Sequence, residues 1–265
     1  MQDLMQTQRY ERKYFITPAM APRIRDFVRC FLEPDPFSVG RPDFSYPVHS
    51  LYLDSSQLTT YWAQVHCEPV RFKLRVRYYY SWPESPVFFE VKRRVGECIY
   101  KERAAVRRRA AGSALSGQFP GPEHLLAPRE KDIAAIQRFF HLSQRLNARP
   151  MMHIAYEREA WLSRKNNHVR VTVDQNIRGV ERHELKFVTD MPDPVIPFPN
   201  WCVLELKYAN RFPEWMGDLV RRFDLVQVGS PKYSMSVYTY GDERLMAART
   251  PSNDYRGSDL FMNYF

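Results

Sequence analysis

The feature that most constrains the fold is a strict alternation of charged and apolar residues in one short segment. Between positions 71 and 77 the odd-numbered residues are all Arg or Lys, and the residues between them are Phe72, Leu74 and Val76. Neighbouring side chains of a β-strand point to opposite faces of a sheet. The segment therefore predicts a strand with one basic face and one apolar face.

The same alternation recurs in several other segments of the chain. The polar positions that share a face are Glu90 with Lys92, Lys101 with Arg103, Tyr156 with Arg158, Arg170 with Thr172 and Asp174, and Glu205 with Lys207. A half-buried sheet with a wet basic face explains any one of these strands. Many like charges side by side on an open sheet repel one another unless an anion lies between them. We therefore predict an α+β fold, an antiparallel β-barrel with its charges inside and helices packed around the outside.

The acidic residues on these strands have two explanations, which the spacing alone does not separate. Glu90, Asp174 and Glu205 suit salt bridges inside the barrel. They equally suit a hard divalent cation such as Mg²⁺ or Mn²⁺, which prefers oxygen ligands.

The charge balance indicates a polyanionic partner. The chain has 39 Lys and Arg against 30 Asp and Glu, a formal net charge of +9. Basic strands with aromatic residues, such as Tyr78 to Tyr80, occur in nucleic-acid-binding sheets. Here the aromatic residues fall on both faces, as core residues do, and no ribonucleoprotein motif is present, so we expect no nucleic-acid partner. No glycine-rich phosphate loop is present either, so side chains must hold any nucleotide.

Cysteine usage and hydropathy indicate a cytoplasmic protein. The four cysteines form no C-x-x-C pair and are expected to be reduced packing residues. Positions 1–9 lack the apolar core of a secretory signal, and no stretch has the ~18 apolar residues that a membrane span needs.

Hydrophobic periodicity and turn residues predict the order of the elements. We expect strands over 10–16, 48–53, 70–80, 87–94, 99–106, 151–162, 168–177, 182–187 and 201–208. We expect helices over 19–32, 55–66, 123–146, 213–223 and 233–246, with a basic loop over 107–122. One domain would cover 1–248, followed by a polar tail over 249–265.

Short strings in a fixed order resemble the catalytic domain of the vacuolar transporter chaperone (VTC) family. The strings are ERKY at 11–14, SLYLD at 50–54, KLRVRYY at 73–79, FEVKRR at 89–94, YEREA at 156–160, RVTVD at 170–174, LELKY at 204–208 and KYS at 232–234. Each string alone is short, but the ordered set spans nearly the whole chain. The family is a polyphosphate polymerase branch of the CYTH-like triphosphate tunnel metalloenzymes.

The resemblance implies a reaction and a set of site residues. Members transfer the γ-phosphate of ATP to a growing polyphosphate chain with Mn²⁺ or Mg²⁺. The implied catalytic cations are Lys13, Arg75, Arg77, Lys92, Arg158, Arg170 and Lys207. The implied substrate-binding residues are Lys73, Lys101, Arg103, Tyr156, Lys232 and Ser234, and the implied metal ligands are Glu205 and Glu90.

Departures from the family pattern leave the reaction open. The sequence contains no phosphate-sensing domain or membrane helix of the eukaryotic members, so it resembles the free-standing bacterial form. Its first strand has one glutamate, Glu11, instead of the paired glutamates of hydrolytic tunnel enzymes. The alternatives are a tripolyphosphatase or nucleoside triphosphatase in the same tunnel, or a non-catalytic polyphosphate-binding module that serves a membrane or envelope partner. The expected ligands in each case are ATP, triphosphate or polyphosphate.

Overall fold

The computed structural model describes residues 9–96, 98–115, 121–163 and 169–247, so the predicted tail over 249–265 lies outside the described residues. The strands are β1 (Arg9–Ile16), β2 (Glu33–Pro34), β3 (Ser45–Asp54), β4 (Val70–Tyr78), β5 (Val87–Val95), β6 (Cys98–Val106), β7 (Arg149–Leu162), β8 (Val169–Glu181) and β9 (Cys202–Ala209). The α-helices are α1 (Met20–Val28), α2 (Thr59–Val65), α3 (Arg108–Leu115), α4 (Glu130–Leu146), α5 (Glu214–Arg222), α6 (Lys232–Tyr240) and α7 (Asp242–Ala247). The predicted α+β class is confirmed.

The strands form one antiparallel sheet in the order β1-β9-β8-β7-β3-β4-β5-β6, and the short β2 pairs with β7. The sheet curls until side chains near its two ends meet. Glu11 on β1 and Lys92 on β5 lie 3.7 Å apart, although five strands separate them in the hydrogen-bonded order. We call the charged inner side of this curled sheet the tunnel face.

The hydrogen-bonded ladder does not run around the full circumference of the predicted barrel. The free edge of β1 is occupied by a loop segment, because the Val228 amide donates to the Lys13 carbonyl over 2.8 Å. A loop segment also covers the free edge of β6, where the Leu126 amide donates to the Ala105 carbonyl over 3.0 Å. These segments satisfy backbone groups that direct β1–β6 pairing would otherwise use.

Two apolar clusters cover the outer side of the sheet. One packs α3 and α4 on β4, β5 and β6, with Phe89 and Phe139 at its centre. The other packs α1 and α5 on β1, β8 and β9, with Ile24 and Leu219 fully buried. The apolar residues of the alternating strands therefore face outward beneath the helices. Within the described ranges, no helix is both long and apolar enough to span a membrane.

Helix α6 lies on the other side of the sheet and packs against β7 and β8. The Tyr233 ring stacks on Tyr52 of β3 with centroids 4.9 Å apart. The Tyr233 hydroxyl donates to the Asp54 carboxylate over 2.9 Å, and Asp54 also accepts from the Thr60 amide of α2. This anchoring carries the first turn of α6 to the tunnel face.

Four predicted elements were wrong in detail. The helix predicted over 123–146 begins only at Glu130, after a separate 3-10 turn at Pro122–His124. The predicted basic loop begins with helix α3, because Ala110 and Ala111 are buried in the outer cluster. The predicted strand over 182–187 is absent from the described structure, since the β7–β8 ladder already ends at the pair Met152 and Glu181. The last predicted helix is two helices, α6 and α7, separated at Gly241, whose φ of 101° interrupts a right-handed helix.

Phe139 offers a test of the outer core. It is fully buried and meets the Phe89 ring edge-on at 5.0 Å. We expect Phe139→Ala to lower the free energy of unfolding by about 3–5 kcal/mol, because it leaves a cavity under α4. The control Val226→Ala removes a side chain that is 73% exposed and should change the value by less than about 0.5 kcal/mol. Urea denaturation of both variants measures the difference; equal losses would contradict this packing.

Candidate functional site

The charged side chains of the tunnel face are gathered around buried carboxylates. Glu90 of β5 is fully buried, and its strand neighbours in register are Arg75 on β4 and Arg103 on β6. Four cations surround its oxygens: Arg75 Nη2 at 2.6 Å, Lys101 Nζ at 2.9 Å, Arg103 Nε at 3.3 Å and Arg77 Nε at 4.0 Å. Glu90 is thus the common counter-ion of one half of the tunnel.

The surrounding cations determine the direction in which the pKa of Glu90 is shifted. Burial acts to raise the pKa, but the positive charges led by Arg75 and Arg77 hold it well below its usual range. Glu90 is therefore ionised at neutral pH. Both oxygens already face cations, and whether Glu90 also binds a metal stays a prediction.

Asp174 holds a second group of cations together. Arg158 donates two hydrogen bonds of 2.7 Å to it, one to each carboxylate oxygen. Lys232, the first residue of α6, places its Nζ 2.7 Å from the second oxygen. Such a two-pronged pair has the strong geometry of an arginine–carboxylate contact. Arg158, Asp174 and Lys232 come from β7, β8 and α6, so this charged cluster also holds the start of α6 against the sheet.

Glu205 lies beside this pair and is nearly buried, with 6% of its side chain exposed. Its oxygens face Lys207 Nζ at 2.7 Å, Lys13 Nζ at 3.4 Å, Lys232 Nζ at 3.6 Å and Arg158 Nη2 at 3.9 Å. Burial acts to raise its pKa, and these cations hold it well below its ordinary value. Of the two explanations that the sequence left open for the acids, salt bridges are the one that the geometry shows.

Three lysines form a row on adjacent strands. Lys92 of β5 pairs in register with Lys73 of β4 on one side and with Lys101 of β6 on the other. These lysines have few carboxylate partners. Lys101 pairs with Glu90, which it shares with three arginines, and Lys92 Nζ lies 3.7 Å from the Glu11 carboxylate. Lys73 donates to the Ser234 hydroxyl over 3.3 Å. Desolvation, together with repulsion among the lysines and neighbouring cations, lowers their pKa values to about 7 for Lys73, 8 for Lys92 and 7 for Lys101.

The remaining predicted residues also reach the tunnel face. The Tyr156 hydroxyl accepts from Arg77 over 3.3 Å, and Arg158 and Lys232 each lie 5.1 Å from the centre of its ring. Arg170 lies toward one end, where it contacts Asp35 at 3.1 Å. The structure thus brings every residue of the predicted catalytic and substrate-binding sets to one continuous surface.

Sequence reasoning missed two groups of this surface. Glu11 was treated only as a departure from the family, yet its Oε1 lies 3.0 Å from Lys13 Nζ. Burial and the charge of Glu205 act to raise the pKa of Glu11, but the neighbouring lysines, led by Lys207 and Lys13, lower it to about 2. The alternation of Glu11 with Lys13 on β1 was the available signal. The aromatic residues around one end of the tunnel were also missed, because Phe37 lies in a loop without a periodic pattern.

A divalent cation fits this site only with help from a ligand. Glu11 and Glu205 converge on Lys13 Nζ, so two carboxylates meet at one point. No group of three or more His, Cys, Asp or Glu side chains is placed to hold a metal among the described residues. Mg²⁺ commonly binds through one or two carboxylates plus substrate phosphates, and this donor set fits that mode.

A match to a known family of proteins decides which family the chain belongs to. The sequence model of the VTC domain family matches residues 8–241 of the chain. The chain belongs to the VTC domain family. This confirms the resemblance seen in the sequence and supports a polyphosphate-related tunnel enzyme. No curated protein matches the chain.

Two solved structures are similar at low identity. An adenylate cyclase candidate from Bacillus halodurans has 12% identity and a TM-score of 0.49, covering 84% of this chain and 94% of that one. The PH1819 protein of Pyrococcus horikoshii has 10% identity and a TM-score of 0.43, covering 88% of this chain and 100% of that one. The family assignment rests on the domain match.

The lysine row predicts how anion binding depends on pH. Lys73 and Lys101 lose their charge as the pH rises through about 7, and Lys92 as it rises through about 8. We expect tripolyphosphate to bind at least about tenfold more weakly at pH 9 than at pH 6.5, since each charged hydrogen bond contributes about 1.5–3 kcal/mol. Isothermal titration calorimetry should also detect proton uptake on binding near pH 7.5.

The control for this prediction is the double variant Lys73→Arg with Lys101→Arg. Guanidinium groups stay charged throughout this range, so the variant should have a flatter pH profile. Ionisation of tripolyphosphate itself acts in the opposite direction, because the ligand becomes more negative as the pH rises. Affinity that increases with pH, or a variant with the wild-type profile, would contradict the role of the row.

Proposed function

We propose that this chain is a polyphosphate polymerase, which transfers the γ-phosphoryl group of ATP to the end of a polyphosphate chain. The observation that carries the proposal is the continuous cationic surface on which the row Lys73, Lys92 and Lys101 faces the carboxylates Glu11 and Glu205. A polyphosphate has a negative charge on every unit, and a line of cations on adjacent strands is suited to such a repeating anion.

Phosphoryl transfer asks the protein mainly to position groups and neutralise charge. Arg75 and Arg158 are held in fixed orientations by hydrogen bonds to the buried carboxylates Glu90 and Asp174, so they need no rearrangement when a phosphate binds. Arg77 is oriented by its hydrogen bond to the Tyr156 hydroxyl. Cations that are fixed in advance can align a donor phosphate with an acceptor phosphate for in-line transfer. The buried acids thus act as positioning residues for the cations.

A divalent metal would bind at Glu205, the ligand that the family resemblance implies, with Glu11 as the second carboxylate. Its chemistry would be to neutralise phosphate oxygens as charge moves toward the leaving group. Lys13 lies between the two carboxylates, and a metal–phosphate complex that binds there would take over part of its ion pairing.

The central prediction concerns Glu205→Gln, which keeps the side-chain shape and removes its charge. Wild-type protein with ATP and Mn²⁺ should produce ADP and polyphosphate, and a chelator should abolish the reaction. The variant should still bind polyphosphate while its turnover falls by about two orders of magnitude, the usual effect of losing one transition-state electrostatic contact. Polyphosphate affinity and product analysis on the same purified sample measure both effects.

Glu102→Gln is the matched control, because Glu102 is on the same sheet but pairs with Arg138 of α4 at 2.9 Å. It should leave both affinity and turnover near the wild-type values. Orthophosphate as the sole product of the wild type would favour the tripolyphosphatase or nucleoside triphosphatase. Tight binding without turnover under any common divalent metal would favour the binding module. Normal turnover of Glu205→Gln would remove Glu205 from the mechanism.

A further inference from the structure

Four aromatic rings lie together at one end of the tunnel face, and we call this cluster the aromatic mouth: Phe37, Tyr46, Tyr79 and Phe88. The Phe37 ring lies 6.1 Å from Tyr46 and 6.4 Å from Tyr79, centroid to centroid, and is within 5° of parallel to Tyr79. Phe88 meets Tyr79 edge-on at 5.8 Å. The rings come from three strand regions and a loop, so the fold assembles them.

Phe37 is the unusual member, because it is 69% exposed. Its backbone is nevertheless held in place. The Phe37 amide donates to Asp35 over 3.0 Å, and Asp35 in turn pairs with Arg170 of the tunnel. The Arg41 side chain donates to the Phe37 carbonyl over 3.1 Å. A large ring on an anchored loop therefore presents apolar surface to solvent, where it contributes little to the core.

The aromatic mouth continues directly into the phosphate-binding cations. The Arg103 guanidinium lies 3.7 Å from the centre of the Phe88 ring. Burial acts to raise the pKa of Tyr79, but the charges of Arg77 and Arg103 lower it below its ordinary value. Along β4, the cations on the face of Tyr79 follow at steps of roughly 7 Å. Flat apolar surface and anion-binding groups thus lie side by side.

We propose that the aromatic mouth binds the base of a nucleoside triphosphate, whose phosphates extend along Arg77 and Arg75 into the tunnel. A nucleotide has these two parts in this order, a flat ring system and then a chain of phosphates. Bases of all kinds stack on aromatic side chains, so discrimination between ATP and GTP should be weak. The inference rests on the proposed function and adds to it the end of the tunnel at which the nucleotide donor enters.

The test compares two ligands that share the triphosphate but differ in the base. ATP and inorganic tripolyphosphate are titrated calorimetrically into wild type and Phe37→Ala, with a chelator present to prevent turnover. We expect Phe37→Ala to weaken ATP binding about tenfold, in the range for losing one base–aromatic stack, and to leave tripolyphosphate binding unchanged. Phe37→Trp should restore ATP binding, because it keeps a flat ring at this position.

Two controls separate stacking from loop damage. Val39→Ala removes a side chain of the same loop that is 61% exposed, and Tyr238→Ala removes a 68% exposed ring on α6, which is not part of the mouth. Both should bind ATP and tripolyphosphate as the wild type does. A Phe37→Ala variant that loses both ligands equally, or neither, would overturn the inference. If the wild type binds ATP no more tightly than tripolyphosphate, the base contributes no affinity; this result would overturn the inference and leave the proposed function standing. Failure to bind either ligand overturns both.

Discussion

The structure depends on the burial of Glu90 among four cations. A curled sheet whose inner face has so many Lys and Arg side chains would repel itself without negative charge inside it. Glu90 and the nearby Asp174 and Glu205 provide that charge, and each is shared by two or more cations. Buried ion pairs of this kind add little net stability. In this protein the buried ion pairs orient the arginines Arg75 and Arg158, whose side chains are fixed before any ligand binds.

The compensation is incomplete at the row Lys73, Lys92 and Lys101. Their lowered pKa values show that the protein holds these lysines at a cost in the absence of an anion. A bound polyanion would reverse that cost by raising the pKa values. Under the proposed function, this row is where a bound polyphosphate chain would offset the most uncompensated positive charge.

Much of this arrangement was predictable, because strand alternation assigns residues to faces without any knowledge of the fold. The alternation was enough to place the odd-numbered cations of 71–77, together with Glu205 and Lys207, on the inner surface and the apolar residues between them on the outer one. Pairings between distant segments were not predictable: Lys232 reaches Asp174 from the first turn of α6, which the hydrogen bond from Tyr233 to Asp54 helps to anchor. The helix α3 was missed, since short alanine-rich segments have a weak periodic signal. Edge coverage of β1 by Val228 depends on a loop conformation that periodicity does not encode.

The most direct test of the account is a crystal structure of the protein with bound tripolyphosphate. The account predicts phosphates in contact with Lys73, Lys92 and Lys101, while Glu90 keeps its pairing with Arg75 and Arg158 keeps its pairing with Asp174. Bound phosphate would then add to the existing network without rearranging it. Tripolyphosphate located on the outer surface, or in a tunnel whose arginines have left their carboxylates, would contradict the claim that the buried acids preorganise a polyphosphate site.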